Sequence, residues 1–466
     1  MADNDNELIE LTIDNVAHGG VFVARHEGRV VFVADAVPGE RVLARVVDAK
    51  SSFWRADTVE VLEASPDRVP HVWPAAALER DPSARAGGAE FGHIALARQR
   101  ALKGQVLTDA LQRFGKIDRP VEVEAIPGEA DGTRWRTRVR LHVGRGGRVG
   151  PYAARSHDIV PVDSLPLATL AIEEEARSVA GTLELGGQGA AAVDLIETSG
   201  GELRVSLVPE ERSKSGGGRG GRGGRQSGGG RGQSGRNGAG GQRGGPRSDA
   251  SAAARASGTE SAAGAPATIV ERVGEREFRL AENGFWQVHR HAAQTLTTAV
   301  QELTRADLVD PRAANHDLYG GVGLLAAAFA DRFGQATRIT SVESDGLATD
   351  HASENLAEWI GARAVTARVD RYLTELERDA SAEDRRRLAA ATMVIDPPRS
   401  GAGRDVVGSL TRLGVAQVVY VACDPVAFAR DVAFFGEAGY VLDTVRAYDL
   451  FPNTHHLETV GVLVKG

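Results

Sequence analysis

From residue 286 onward the chain repeats one pattern: an apolar run of strand length, a turn built on glycine or proline, then a stretch with helical spacing. Runs at 313–319, 338–343, 364–368, 391–395 and 417–422 predict strands, and 346–360 and 425–438 predict helices between them. Such alternation constrains residues 286–466 to an open α/β sheet of Rossmann-like type. Ligands of these sheets sit at the carboxyl ends of the strands.

The residues before 286 follow other rules. Within 1–65, short alternating runs at 8–13, 21–24, 30–33, 41–47 and 57–62 are separated by turn signals at His18-Gly19-Gly20, Glu27-Gly28 and Pro38-Gly39-Glu40. Five short strands at this spacing predict a small closed barrel of the oligonucleotide-binding (OB) type. Residues 66–285 mix both periodicities, as an α+β central domain would. Helical spacing covers 91–115, and strand-like alternation over 134–164 places Arg134, Arg136, Arg138 and Arg140 on one face, where they could meet RNA or simply line a solvated strand. Inside this region, 212–266 turns to Gly, Arg, Ser, Gln and Ala, with Arg-Gly-Gly repeats. Such a tract cannot bury enough surface to offset its chain entropy and is expected to be disordered, either a loose holder of single-stranded RNA or a tolerated insertion.

Charge is segregated. The formal net charge is −8, yet 214–247 carries Lys214 and seven arginines without an acid, leaving −16 on the rest. Bulk charge therefore argues against nucleic-acid binding, and any RNA contact must use local basic surface. No apolar run approaches the roughly 18 residues of a membrane-spanning helix, and the acidic start Met-Ala-Asp-Asn-Asp-Asn-Glu lacks the features of a leader, so a cytoplasmic protein without membrane partners is expected.

Three motifs carry chemistry. Asp317-Leu-Tyr319-Gly-Gly-Val-Gly323 follows the first strand of the α/β region, and Val342-Glu343 ends the next. Glycines allow close backbone approach, and an acid at that strand end can accept hydrogen bonds from ribose hydroxyls. The pair points to S-adenosylmethionine, with NAD as the weaker alternative. Asp396-Pro-Pro-Arg-Ser-Gly401 holds a carboxylate rigidly where methyltransferases acting on planar bases grip their target, unless it is only a structural turn. Cys423, the single cysteine in 466 residues, ends the fifth strand in Val-Tyr-Val-Ala-Cys-Asp-Pro. It cannot form an intrachain disulfide or a four-thiolate cluster, and it reads as a nucleophile or as a small buried hydrophobe. His455-His456-x-Glu458 could suggest a metal site, but adjacent histidines on an extended segment are expected to point apart, and no metal is expected.

Together with Phe285-Trp286-Gln287-Val288, Ala429-Arg430-Asp431 and Asp449-Leu-Phe-Pro-Asn-Thr454-His-His-Leu-Glu458, these motifs stand in the order and spacing of the bacterial RNA uracil-5 methyltransferases, which the chain strongly resembles outside the Gly/Arg tract. The resemblance implies a class I S-adenosylmethionine-dependent methyltransferase domain, an amino-terminal TRAM barrel, an rRNA or tRNA substrate and a monomer. It assigns Cys423 as nucleophile, Glu458 as base, and Gln287, Tyr319, Glu343 and Asp396 to the cofactor. Many relatives hold an iron–sulfur cluster on a Cys-Gly-Gly-Cys element; here the stretch reads Ala86-Gly87-Gly88-Ala89, with Ser164 near the last ligand position, which implies a member without the cluster. Many also carry cysteine where this chain has Gly320. The alternatives are an RNA-binding protein that keeps the fold without the activity, and a cytosine-5 RNA methyltransferase, which typically uses two cysteines.

Overall fold

The structure, a computed structural model, describes residues 6–128, 130–184, 189–209 and 266–466. The Gly/Arg-rich insertion, Pro266 apart, lies outside the described residues. Strands β1 (Leu8–Ala17), β2 (Val21–His26), β3 (Arg29–Ala34), β4 (Arg41–Ala49) and β5 (Phe53–Glu63) close into a barrel in the order β1-β2-β3-β5-β4. The period of two in the sequence drives this closure. Alternate residues such as Phe22, Val31, Val42 and Ala44 are fully buried, while their neighbours face outward.

The predicted helix over 91–115 begins later, as α1 (Leu96–Ala110), and its end widens into a π turn that stops at Gly115 before Lys116 in a left-handed conformation. The apolar spacing over 91–95 has another cause. Phe91 and Ile94 fill the barrel core instead of a helix face, and Gln99 of α1 donates to the carbonyls of both. Next come the short β6 (Val123–Glu124), β7 (Arg138–Val143), β8 (Val149–Gly150), α2 (Leu170–Glu184), β9 (Ala190–Glu197) and β10 (Leu203–Pro209), with a four-stranded sheet β10-β9-β7-β8. The hairpin β11 (Thr268–Val273) and β12 (Arg276–Ala281) follows.

The arginine row is not a single face. Arg134 has a positive φ of 60° and pairs with Glu173; Arg138 pairs with Glu271 and Arg140 with Asp194. Only Arg136 has no carboxylate partner among the described residues. Three guanidiniums thus serve the fold, because a partly buried charge is stable only when paired. Ala86 and Ala89, which stand where relatives have cysteines, are buried in one apolar cluster with Trp73, Trp135 and Ala153. These side chains offer no ligating atom, so they do not fit an iron–sulfur cluster.

The remaining elements are α3 (Ala292–Leu303), β13 (Asn315–Leu318), α4 (Leu324–Phe333), β14 (Ile339–Glu343), α5 (Gly346–Asn355), β15 (Ala362–Thr366), α6 (Val369–Asp379), α7 (Ala382–Ala389), β16 (Thr392–Ile395), α8 (Gly403–Leu413), β17 (Gln417–Ala422), α9 (Pro425–Glu437), β18 (Tyr440–Tyr448) and β19 (Glu458–Lys465). They form an eight-stranded sheet in the order β15-β14-β13-β16-β17-β19-β18-β6. The first five strands run parallel, and β19 lies antiparallel between β17 and β18. Strands β16 and β17 are buried along their whole length, as a sheet covered by helices on both faces requires. No helix among the described residues is long and apolar enough to cross a membrane.

Candidate active site

Strand order reverses between β13 and β16, so the crevice of the sheet opens at the carboxyl ends of β13, β14 and β16. The chain turns sharply there. Tyr319 adopts φ 63°, a conformation rare outside glycine, and Gly321 and Gly323 follow at 53° and 88°. Asp317, fully buried, ties this loop to its neighbours: its Oδ2 accepts from the Ala326 amide at 3.1 Å and from the Ser341 hydroxyl at 3.4 Å. Burial, with the nearby carboxylates Asp396 and Glu343, pushes the Asp317 carboxyl up to about 7.

A Cβ at Gly320 would lie 2.1 Å from Ser341 Oγ and 2.7 Å from Asp317 Oδ2. The cysteine found here in many relatives would meet the same atoms. Gly320→Ala is therefore expected to displace the loop and weaken S-adenosylhomocysteine binding by about tenfold or more, read by calorimetry. Unchanged affinity would show that the loop does not approach the ligand closely.

Glu343 ends β14 and is held from several sides. Its Oε1 accepts from the Ser344 amide and hydroxyl and from the Asp345 amide at 2.9 Å, while among the described residues Oε2 accepts only from the Gly321 amide, at 3.2 Å. Oε2 thus keeps acceptor capacity for a ribose hydroxyl. A close backbone approach beside a carboxylate oxygen with acceptor capacity to spare fits the adenosine of S-adenosylmethionine. Gln287 comes from another segment of the chain. It is half-buried in the loop between β12 and α3, beside the exposed Phe285, and no hydrogen bond joins it to the other five predicted site residues. Tyr319 packs against the main core, and burial raises its phenol to about 12.

The second half of the site comes from strand register. Val421 faces Val460 and Ala422 faces Thr459 across the antiparallel β17·β19 pair. One step beyond the last paired residues come Cys423, just past the end of β17, and Glu458, the first residue of β19. Burial, then the Glu458 and Asp396 charges, push the Cys423 thiol up to about 12, and Arg399 opposes them. Burial and Asp396 likewise raise Glu458 well above the usual carboxylate range, again against Arg399. Asp396, at the end of β16, is pushed to about 7 by burial. Cys423, Glu458 and Asp396 therefore share one low-dielectric pocket in which Arg399, part of the Asp-Pro-Pro-Arg motif, is the opposing cation.

Two scaffolds hold this pocket. Asp431, fully buried, accepts from the Tyr420 hydroxyl at 2.7 Å and from the Ala402 and Gly403 amides at 2.7 and 3.1 Å, while Arg430 donates to the Ser400 carbonyl at 2.7 Å. The Ala429-Arg430-Asp431 motif thereby fixes the turn that carries Arg399. On the other side, Lys103 of α1 donates to Asp449 at 2.6 Å and to the Phe451 carbonyl at 3.0 Å. Gln99 and Asn453 bond reciprocally at 2.9 and 2.7 Å. These bonds pin the 449–457 loop that delivers Glu458. Both Lys103 and Asp449 are almost completely buried, so Lys103→Ala is expected to cost about 3–5 kcal/mol in urea unfolding by stranding the carboxylate. A loss below 1 kcal/mol would show that Asp449 finds another partner.

A cavity of about 150 Å³ opens above Cys423, between Arg399, Lys103, His456 and the barrel residues Ala17 and His18. The adjacent histidines do not point apart as expected: the His455 and His456 rings lie 4.1 Å apart, and His455 faces Glu90. The turn after Pro452, with Asn453 at φ 65°, departs from the extended geometry assumed. Even so, among the described residues no group of three or more ligating side chains could hold a metal.

Comparison with known proteins finds relatives of nearly the whole chain. A family model described as tRNA (uracil-5-)-methyltransferase matches residues 270–466. An uncharacterized RNA methyltransferase of Streptomyces avermitilis is 35% identical across 98% of both chains, and one of Streptomyces coelicolor is 35% identical across 98% of this chain and 93% of its own. Among solved structures, the tRNA (uracil-54, C5)-methyltransferase of Pyrococcus abyssi in complex with S-adenosyl-L-homocysteine superposes with a TM-score of 0.63, at 20% identity over 97% of this chain and 99% of that one, which shows the shared fold. With a class I methyltransferase sheet behind a closed barrel, and relatives that match it nearly end to end, the chain belongs to the RNA (uracil-5-)-methyltransferase family of S-adenosylmethionine-dependent enzymes.

Proposed function

We propose that this enzyme methylates carbon 5 of one specific uridine in an rRNA or tRNA through a covalent Cys423 adduct, with Glu458 as the base. The observation that carries this reading is that the single thiol of the chain follows the end of β17 at the step where its partner strand β19 begins with a buried carboxylate. Carbon 5 of uracil is a poor nucleophile. Addition of the Cys423 sulfur to carbon 6 makes carbon 5 enolate-like, able to take the methyl group. S-adenosylmethionine supplies that methyl group on a cationic sulfur. Glu458 then removes the carbon 5 proton, the double bond re-forms, and the Cys423 sulfur leaves.

Burial favours the uncharged forms of both Cys423 and Glu458. Arg399 favours the charged form of both, and positive charge brought in beside Asp396 acts in the same direction. Gln287, Tyr319, Glu343 and Asp396 are the residues we assign to the cofactor. The barrel (1–65), central region (66–285) and methyltransferase region (286–466) are read as three domains of a cytoplasmic monomer. Apolar packing around Ala86 and Ala89 takes the place of a cluster.

Incubation of the pure protein with radiolabelled S-adenosylmethionine and RNA from a strain lacking the gene tests the reading. Label is expected in 5-methyluridine. Bound RNA without label would favour a non-catalytic RNA-binding protein, and label in 5-methylcytidine would favour the cytosine enzyme.

A further inference from the structure

We infer that His18, in the first hairpin turn of the amino-terminal barrel, is a positioning residue for the nucleophile, so that the barrel completes the active site. His18 lies between β1 and β2, where Gly19 and Gly20 adopt φ 90° and 76°. Its Nε2 donates to Asp424 Oδ2 at 2.9 Å. Asp424 directly follows Cys423 and caps α9: its other oxygen, Oδ1, accepts from the Val426 and Ala427 amides at 3.0 and 2.8 Å. One carboxylate therefore fixes the start of the helix through one oxygen and the barrel through the other. The thiol is carried on the residue immediately before this carboxylate.

Three further observations support the coupling. The same barrel turn lines the cavity above Cys423 through Ala17, His18 and Gly19. It also abuts the loop that delivers Glu458, since a Cβ at Gly20 would stand 3.0 Å from His455 Nδ1. Finally, Asp424 is one of the charges that disfavour the Cys423 thiolate, and the bond from His18, which raises the imidazole above its usual value, offsets that charge. The other charged or titratable groups at this junction are Arg399, Lys103, His455, His456, Glu90, Asp396 and Glu458. None of them is hydrogen-bonded to Asp424, so His18 is its one side-chain partner among the described residues.

The inference rests on Cys423 as nucleophile, and the test separates the two. Single-turnover methyl transfer is measured at saturating RNA for wild type, His18→Ala and His18→Gln. The alanine variant is expected to transfer about tenfold more slowly, with unchanged KM for S-adenosylmethionine and unchanged Tm, because a misplaced reacting group costs rate and not cofactor affinity. Glutamine, which keeps a donor at similar reach, is expected to restore the rate to within about threefold. An alanine variant as fast as wild type, a defect confined to RNA affinity, or no recovery with glutamine would each overturn the inference. If the wild type itself is inert, the functional reading fails, and alkylation by iodoacetamide of the single thiol then decides on His18 alone. A rate changed about threefold or more in the alanine variant only supports the contact; equal rates in all three proteins overturn it.

Discussion

Cys423→Ala is expected to lower methyl transfer by about 10⁴-fold or more, while RNA and S-adenosylhomocysteine still bind. The substitution removes one sulfur from a half-buried position and leaves every hydrogen bond around it intact, since the turn is held by Asp424 and the β17·β19 ladder and not by the thiol. The fold should therefore survive, with Tm close to that of wild type. No other nucleophile can take over, because the chain has no second cysteine. Transfer assays with labelled S-adenosylmethionine, paired with filter binding of the RNA, give both quantities. Turnover retained within tenfold would remove the covalent mechanism.

Glu458→Gln is expected to stop the reaction later. The amide cannot accept the carbon 5 proton, so the methylated nucleotide cannot expel the sulfur, and a protein–RNA adduct should accumulate as a band that survives denaturation. The amide has nearly the shape of the carboxyl group, and burial already disfavours the charged form of Glu458, so little folding stability should change. Stability and chemistry thus separate cleanly at this position. Absence of the band together with full turnover would assign the proton to another base. Absence of both would place Glu458 before the addition step.

The two variants probe a pairing that the primary structure does not display. Cys423 and the Asp-Pro-Pro-Arg motif are conspicuous in the sequence because each breaks an apolar strand into a turn. Glu458, by contrast, is one acid beside two histidines. Its position is set by β19, which inserts antiparallel between β17 and β18. Similarly, Arg134 to Arg140 read as one row, yet three are consumed by Glu173, Glu271 and Asp194, which lie elsewhere in the chain. The apolar residues at 91–95 have helical spacing but belong to the barrel core. Lys103, Asp431 and Asn453 had no sequence signal beyond their place in or near a motif, because each acts by satisfying a distant buried polar group.

By itself the sequence determined what depends on neighbours along the chain: the period of two that closes the barrel, the strand–turn–helix alternation of the sheet, the glycines that let the Asp317–Gly323 loop turn, and the presence of a single thiol. Tertiary structure alone decided which distant segments meet. It brought Glu458 at the start of β19 to the end of β17 that Cys423 follows, brought His18 of the barrel onto Asp424, and gave Arg134, Arg138 and Arg140 their acids. The physical reason is that periodicity is a local steric and solvation property, whereas register and ion pairing are chosen only when the whole chain buries its apolar faces and must satisfy every polar group left inside.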